Sequence, residues 1–127
     1  MRIGSHSWSL ELDDGWQDCS ENDVLRFFEP VSESVLNLSS HRLEDEALHQ
    51  ALRQRNREHI FQHFGSAEEV DLEAGFALLG AQGHDLLAFV HVGPCLIMIT
   101  MASRLATAED LKILVRSMVQ RICVDKD

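Results

Sequence analysis

His59 and His63, Asp13 and Asp14, and Cys19 are the side chains whose type and spacing could do chemistry. A histidine pair at i and i+4 on a helix presents two imidazoles on one face, an arrangement that suits zinc. A catalytic zinc helix also carries Glu directly after the first histidine, and residue 60 is Ile. Spacing supplies no third ligand. The pair therefore reads as two histidines sharing a solvent-facing helix side, and no metal is expected. Asp13 and Asp14 could be imagined as an acid and a base, but neighbouring turn residues point apart. The Gly15 that follows makes the Asp-Gly step turn chemistry, because glycine tolerates the positive φ of a tight turn. Acids around Cys19 disfavour its thiolate, which leaves a poor nucleophile. No nucleophile elbow, phosphate loop or dinucleotide fingerprint occurs. The expectation is a protein with no catalytic residues and no cofactor, and so not an enzyme.

Two charged stretches bear on binding instead. Arg53, Arg55 and Arg57 alternate along a helical segment, and alternate residues do not share a helix face. They read as a solvated surface answering nearby acids, not as a phosphate clamp. The stretch WSLELDDGWQDCSEND, residues 8–23, is different. Glu11, Asp13, Asp14, Asp18, Glu21 and Asp23 fall in it with no Lys or Arg, and Trp16 lies just past the turn. An aromatic ringed by charge at a protruding turn is a recurrent anchor of protein interfaces. The alternative is that Trp16 closes one end of the core while the acids are merely solvated. Both readings stand on the residues alone. The candidate partner-binding set is Asp13, Asp14, Trp16, Asp18, Glu21 and Asp23.

Composition narrows the partner. The chain has 127 residues, 45% of them hydrophobic and 25% charged, which fits one soluble domain spanning residues 1–127. Its formal net charge is −10, and of 11 basic residues only Lys112 and Lys126 are lysines. Clustered cations that displace counterions from phosphates are missing, so no nucleic-acid partner and no anionic membrane surface is expected. A basic protein surface would be attracted. The N-terminus lacks an apolar segment of signal-peptide length, and the longest apolar stretch, 86–101, is interrupted by His91, Gly93 and Pro94. Cys19, Cys95 and Cys123 are odd in number and far apart, as in a reduced cytoplasmic protein.

The elements that must position these groups follow from periodicity. Alternation predicts strands over 3–13, 24–29 and 34–41, and helix patterning predicts a helix over 44–64 stopped by Gly65. Its apolar stripe is not clean: Ala47, Leu48, Ala51 and Leu52 share one face, while Ile60, Phe61 and Phe64 fall on another. A half-buried strand is expected over 70–78, a turn over 80–83, and central strands over 86–92 and 95–102 joined at Gly93–Pro94. Thr107 and Asp110 form a capping-box pattern ahead of a helix whose stripe is Leu111, Leu114, Val115, Met118 and Ile122. The order βββαβββα predicts an α+β domain with a mainly antiparallel sheet and helices or a partner on both sides.

This order, with LELDDGWQD leading into the first strands, resembles the PsbP-like fold. That fold is shared by photosystem PsbP proteins, a Ran-binding transport factor and a bacterial family that includes Eag-type adaptors of type VI secretion. Leu12, Gly15, Trp16 and Asp18 match the bacterial Leu-Pro-x-Gly-Trp-x-Asp turn, with Asp13 in place of the proline. The strands LLAFVHV and CLIMITMAS and the closing helix match the second half. The resemblance implies a sandwich that binds another protein without catalysis. The reading it supports first is a bacterial immunity protein, cytoplasmic, that neutralises a cognate secreted toxin. Second is an Eag-like adaptor, as a homodimer, holding the apolar N-terminal helices of a type VI effector, although the late strands lack that group's Gln-bearing pattern. Third is a regulatory domain that binds a small molecule.

Overall fold

A computed structural model describes residues 1–5, 7–22 and 24–124, so Asp23 lies outside the described residues. The first expected strand, 3–13, is two strands: β1 (Arg2–Gly4) and β2 (Trp8–Glu11) pair antiparallel with Ile3 opposite Leu10. The chain turns at Gly4, where a side chain would run into the backbone of Ser9 at 2.8 Å. β2 pairs on its other side with β10 (Cys123–Val124), making a three-stranded sheet β1-β2-β10.

A seven-stranded antiparallel sheet carries the rest. Its members are β3 (Gln17–Asp18), β4 (Leu25–Glu29), β5 (Ser34–Arg42), β6 (Glu68–Leu72), β7 (Gly75–Gln82), β8 (Asp85–Val92) and β9 (Cys95–Ser103). The spatial order is β3-β4-β5-β9-β8-β7-β6, so the two runs expected to be central do lie inside the sheet. The single strand expected over 70–78 is instead the β6–β7 hairpin, turning at Glu73 and Ala74, with Leu72 opposite Gly75. The turn expected over 80–83 begins later, because Gly80 is inside β7 opposite Leu87.

Register divides the side chains between two faces, since successive residues of a strand point oppositely. Phe27, Leu36, Leu38, Ile97, Ile99, Ala88, Val90, Ala77 and Leu79 share one face and are fully or almost fully buried. Helix α2 (Ala108–Gln120) covers it with Leu111, Val115, Met118 and Val119, and the small sheet adds Trp8 and Leu10. Thr107 caps α2 in the expected capping box with Asp110. Ile122 lies beyond the helix end. Helix α1 (Glu46–Phe64) sits on the opposite face. Asp45 caps it, accepting from the Ala47 N–H at 2.9 Å, and Gly65 ends it at φ 76 with its N–H on the Phe61 carbonyl. The result is an α+β sandwich with one helix on each face of the large sheet.

Candidate functional site

Helix α1 meets the sheet with an unusual set of side chains. Its buried residues are His49, Asn56 and Ile60, seven and then four residues apart. Ala47, Leu48 and Ala51, expected to form an apolar stripe, are exposed. Gly80 permits the close approach at the C-terminal half: a side chain there would collide with Ile60 and come within 2.9 Å of the Ser66 carbonyl. Ile60, Phe76 and Leu78 form a small second core with Phe64, Leu87 and Phe89 at its edge.

At the N-terminal half the contact is polar. Nδ1 of His49 lies 2.9 Å from Nδ1 of His91 on β8, with His49 4% and His91 2% exposed. One nitrogen must donate and the other accept, so the two rings hold opposite tautomers. The His91 ring stacks on Phe76 at 4.5 Å, and the Arg53 guanidinium lies 4.3 Å from the Phe76 ring centre. Burial, and then the charges of His49 and Arg53, push His91 down to about 4. A cavity of about 300 Å³ opens beside the pair, with Glu46, Arg53 and Asp71 among its walls. Nothing in the spacing of residues 49 and 91 announced this pair, because they are brought together only by the packing of α1 on β8.

Two adjacent acids of β6 reach opposite faces. Glu69 accepts from Arg53 at 2.9 and 2.5 Å and from Arg57 at 2.6 Å, binding β6 to α1. Arg53 and Arg57 thus have a shared partner, while Arg55 is exposed. The Arg53 hydrogen bond foremost holds the Glu69 carboxyl below its ordinary value. On the other face Glu68 pairs with Arg116 and, at 3.1 Å, with Lys112 of α2. His59 and His63 sit at 4.2 Å between ring centres, and His63 Nδ1 lies 3.0 Å from the His59 carbonyl. Among the described residues no group of three or more His, Cys, Asp or Glu is placed to hold a metal.

Because α1 crosses β7 and β8, the neighbouring part of the same face is open. Phe28, Val35, Asn37, Ser39, Leu96 and Thr100 are half-buried there, and Met98 is 39% exposed. A cavity of about 310 Å³ lies where this open face meets the end of α1, against His63, Phe64 and Asn37.

The acidic stretch runs from the β2–β3 turn, with Asp13 and Asp14, through Asp18 of β3 to Glu21 in the β3–β4 connection. Asp13, Asp14, Asp18 and Glu21 are exposed, as is Glu11. Trp16 is 7% exposed and belongs to the main core cluster, so it closes the core and is not a protruding anchor. Its Leu12 neighbour is buried with it, which pins the turn and leaves the carboxylates outside. Asp18 accepts from the Ser20 N–H at 2.9 Å, and hydrogen bonds from Ser20, side chain first and then backbone, hold its carboxyl below the ordinary value. Cations touch the edge loosely: the N-terminal amine lies 3.4 Å from Glu11 and 3.9 Å from Asp14, and Arg121 lies 3.8 Å from Asp13. Among the described residues no helix is long and apolar enough to cross a membrane.

By sequence, no protein-family profile and no curated protein matches the chain. By structure it is similar to the solution structure of cyanobacterial PsbP (CyanoP) from Synechocystis sp. PCC 6803, with a TM-score of 0.62 at 15% identity. The likeness covers 98% of this chain and 92% of that one. The strand order, the two helices on opposite faces and this full-length superposition together give the chain a PsbP-like fold.

Proposed function

We propose that this chain is a non-catalytic module that binds another polypeptide, and specifically a cytoplasmic bacterial immunity protein that neutralises a cognate secreted toxin. The observation that carries the reading is the acidic edge: Asp13 and Asp14 are exposed on a turn that Leu12 and Trp16 anchor to the core, and Asp18 of β3 and Glu21 just beyond it are exposed as well. A rigidly held anionic edge on a chain of net charge −10 is suited to occlude the cationic cleft of a toxin that handles nucleic acid or nucleotides. Trp16 acts in this reading by holding the turn, and the carboxylates make the contacts, Asp23 among the candidates.

The test uses the product of the gene immediately upstream. Its isolated toxin domain should bind this chain in calorimetry, and co-expression should restore growth. Changing Asp13, Asp14, Asp18 and Glu21 to Lys together should weaken binding at least about tenfold, with the fold retained by circular dichroism. Unchanged affinity would remove the edge as the interface.

The open half of the large sheet favours a second reading, an Eag-like adaptor working as a homodimer. There the half-buried apolar side chains beside α1 would hold an effector's apolar helix. Protection of only the full-length effector, lost when its N-terminal segment is deleted, would select the adaptor over the immunity protein.

A further inference from the structure

Helix α1 is fastened to the sheet differently along its length. Its C-terminal half seats Ile60 against Phe76 and Leu78, and its middle is tied through Arg53 and Arg57 to Glu69. Among residues 46–53 the one buried side chain is His49, and it meets His91. No α1 residue belongs to the main core cluster. The first two turns can therefore part from the sheet without opening that core.

The histidine pair counts protons. The Nδ1-to-Nδ1 contact accommodates one hydrogen between two rings, and a second Nδ1–H there meets no acceptor. Nε2 of each ring is buried without a partner, so a proton added at that end brings a charge that nothing answers. The surroundings do not relieve it. Arg53 from α1 is itself cationic, β7 contributes the uncharged Phe76, and β9 places Leu96 opposite His91. From β6, Glu69 is already engaged by two arginines, while Asp71, like Glu46 of α1, is exposed and screened by solvent. The depressed value of His91 follows from the same burial.

We propose that the His49–His91 pair is an acid-operated latch: proton uptake by the pair releases residues 46–52 of α1 from β8, while Ile60 and the Glu69 ties keep the rest of the helix seated. Two released turns do not hold as an isolated helix and fray. Glu69, held below its ordinary value, stays ionised and keeps its arginines as the latch opens. This inference rests on neither the immunity nor the adaptor reading.

Amide hydrogen exchange on the full chain between pH 7.5 and 4.5, corrected for intrinsic rates, tests it. Amides of residues 50–56 should lose at least about tenfold in protection between pH 6.5 and 5, since one proton taken up on opening changes the equilibrium by up to tenfold per pH unit. Residues 60–64 and β9 should stay better protected than 50–56 throughout that range, because their amides need a larger opening. Unchanged protection at 50–56, or protection there no lower than that of β9 at every pH, would overturn the proposal. His49→Gln and His91→Gln should each flatten the pH dependence, and an unchanged slope in both would also overturn it. If neither variant folds, imidazole NMR titration of the unaltered protein decides. At least one ring of the pair should titrate well below the ordinary histidine value, and two rings both near about 6.5 would refute the latch.

Discussion

At the scale of single residues, two side chains do something other than their types announce. Trp16 sits in an acidic, turn-rich stretch that leaves an exposed anchor and a core-closing ring equally open, and the ring is core. Trp16→Ala should lower the unfolding free energy by about 3–5 kcal/mol in urea melts, through lost burial and the cavity left behind. A loss of partner binding with unchanged stability would return Trp16 to the interface. His91 makes the second prediction. Its folded value near 4 lies below the unfolded value of 6.5, so the folded chain binds fewer protons in that window. Stability should be complete above about pH 6.5 and fall by about 3 kcal/mol as pH drops through 6.5 to 4, then level for this group. Denaturant midpoints across that range measure it, and a His91→Gln variant that folds should lack most of the slope. Neither role could be read locally. A buried tryptophan and a surface one carry the same letter, and the His91 environment comes from residues 49, 53 and 76.

At the scale of elements, legibility tracked how apolar the buried side is. Helix α2 buries Leu111, Val115 and Met118 at helical spacing and was readable down to its capping box. Helix α1 was readable at its Gly65 stop, and its start, expected at 44, falls at Glu46 because Asp45 is the cap; its orientation was not readable, because two of its three buried residues are polar. The β6–β7 hairpin shows a different failure. Val70 and Leu72 continue in alternation into Phe76 and Leu78, but a two-residue turn intervenes and sends the second pair to the opposite face. The period survives while the phase inverts, so one strand was expected where there are two. Thr107→Ala should cost about 1 kcal/mol through the lost cap of α2, seen as a lower thermal midpoint. Gly80→Ala should cost about 1–3 kcal/mol, since Ile60 must yield to the new side chain. Hydrogen exchange should then show the C-terminal half of α1 weakened more than α2, and equal weakening would mean that the clash relaxes elsewhere.

At the scale of the whole molecule, the antiparallel α+β plan and the central place of 86–92 and 95–102 were legible because both runs are apolar on both faces. The half-open second face was not, since a missing cover leaves no mark in a strand's own residues. Net charge acts at this scale too. If a basic toxin is the partner, its association rate should fall at least about tenfold from low to high salt while dissociation changes little, as stopped-flow would show. Salt-independent association would mean that the charge plays no steering part.

The outermost strand of the large sheet also behaves as a common fastener. Glu68 and Glu69 are consecutive, so the pleat hands one to each helix, and a single short segment at the margin is stitched to both sides of the sandwich. Pulling that segment away would unpick both seams at once. Mechanical or thermal peeling of this protein should therefore begin at that hem, with the two helices loosening in step.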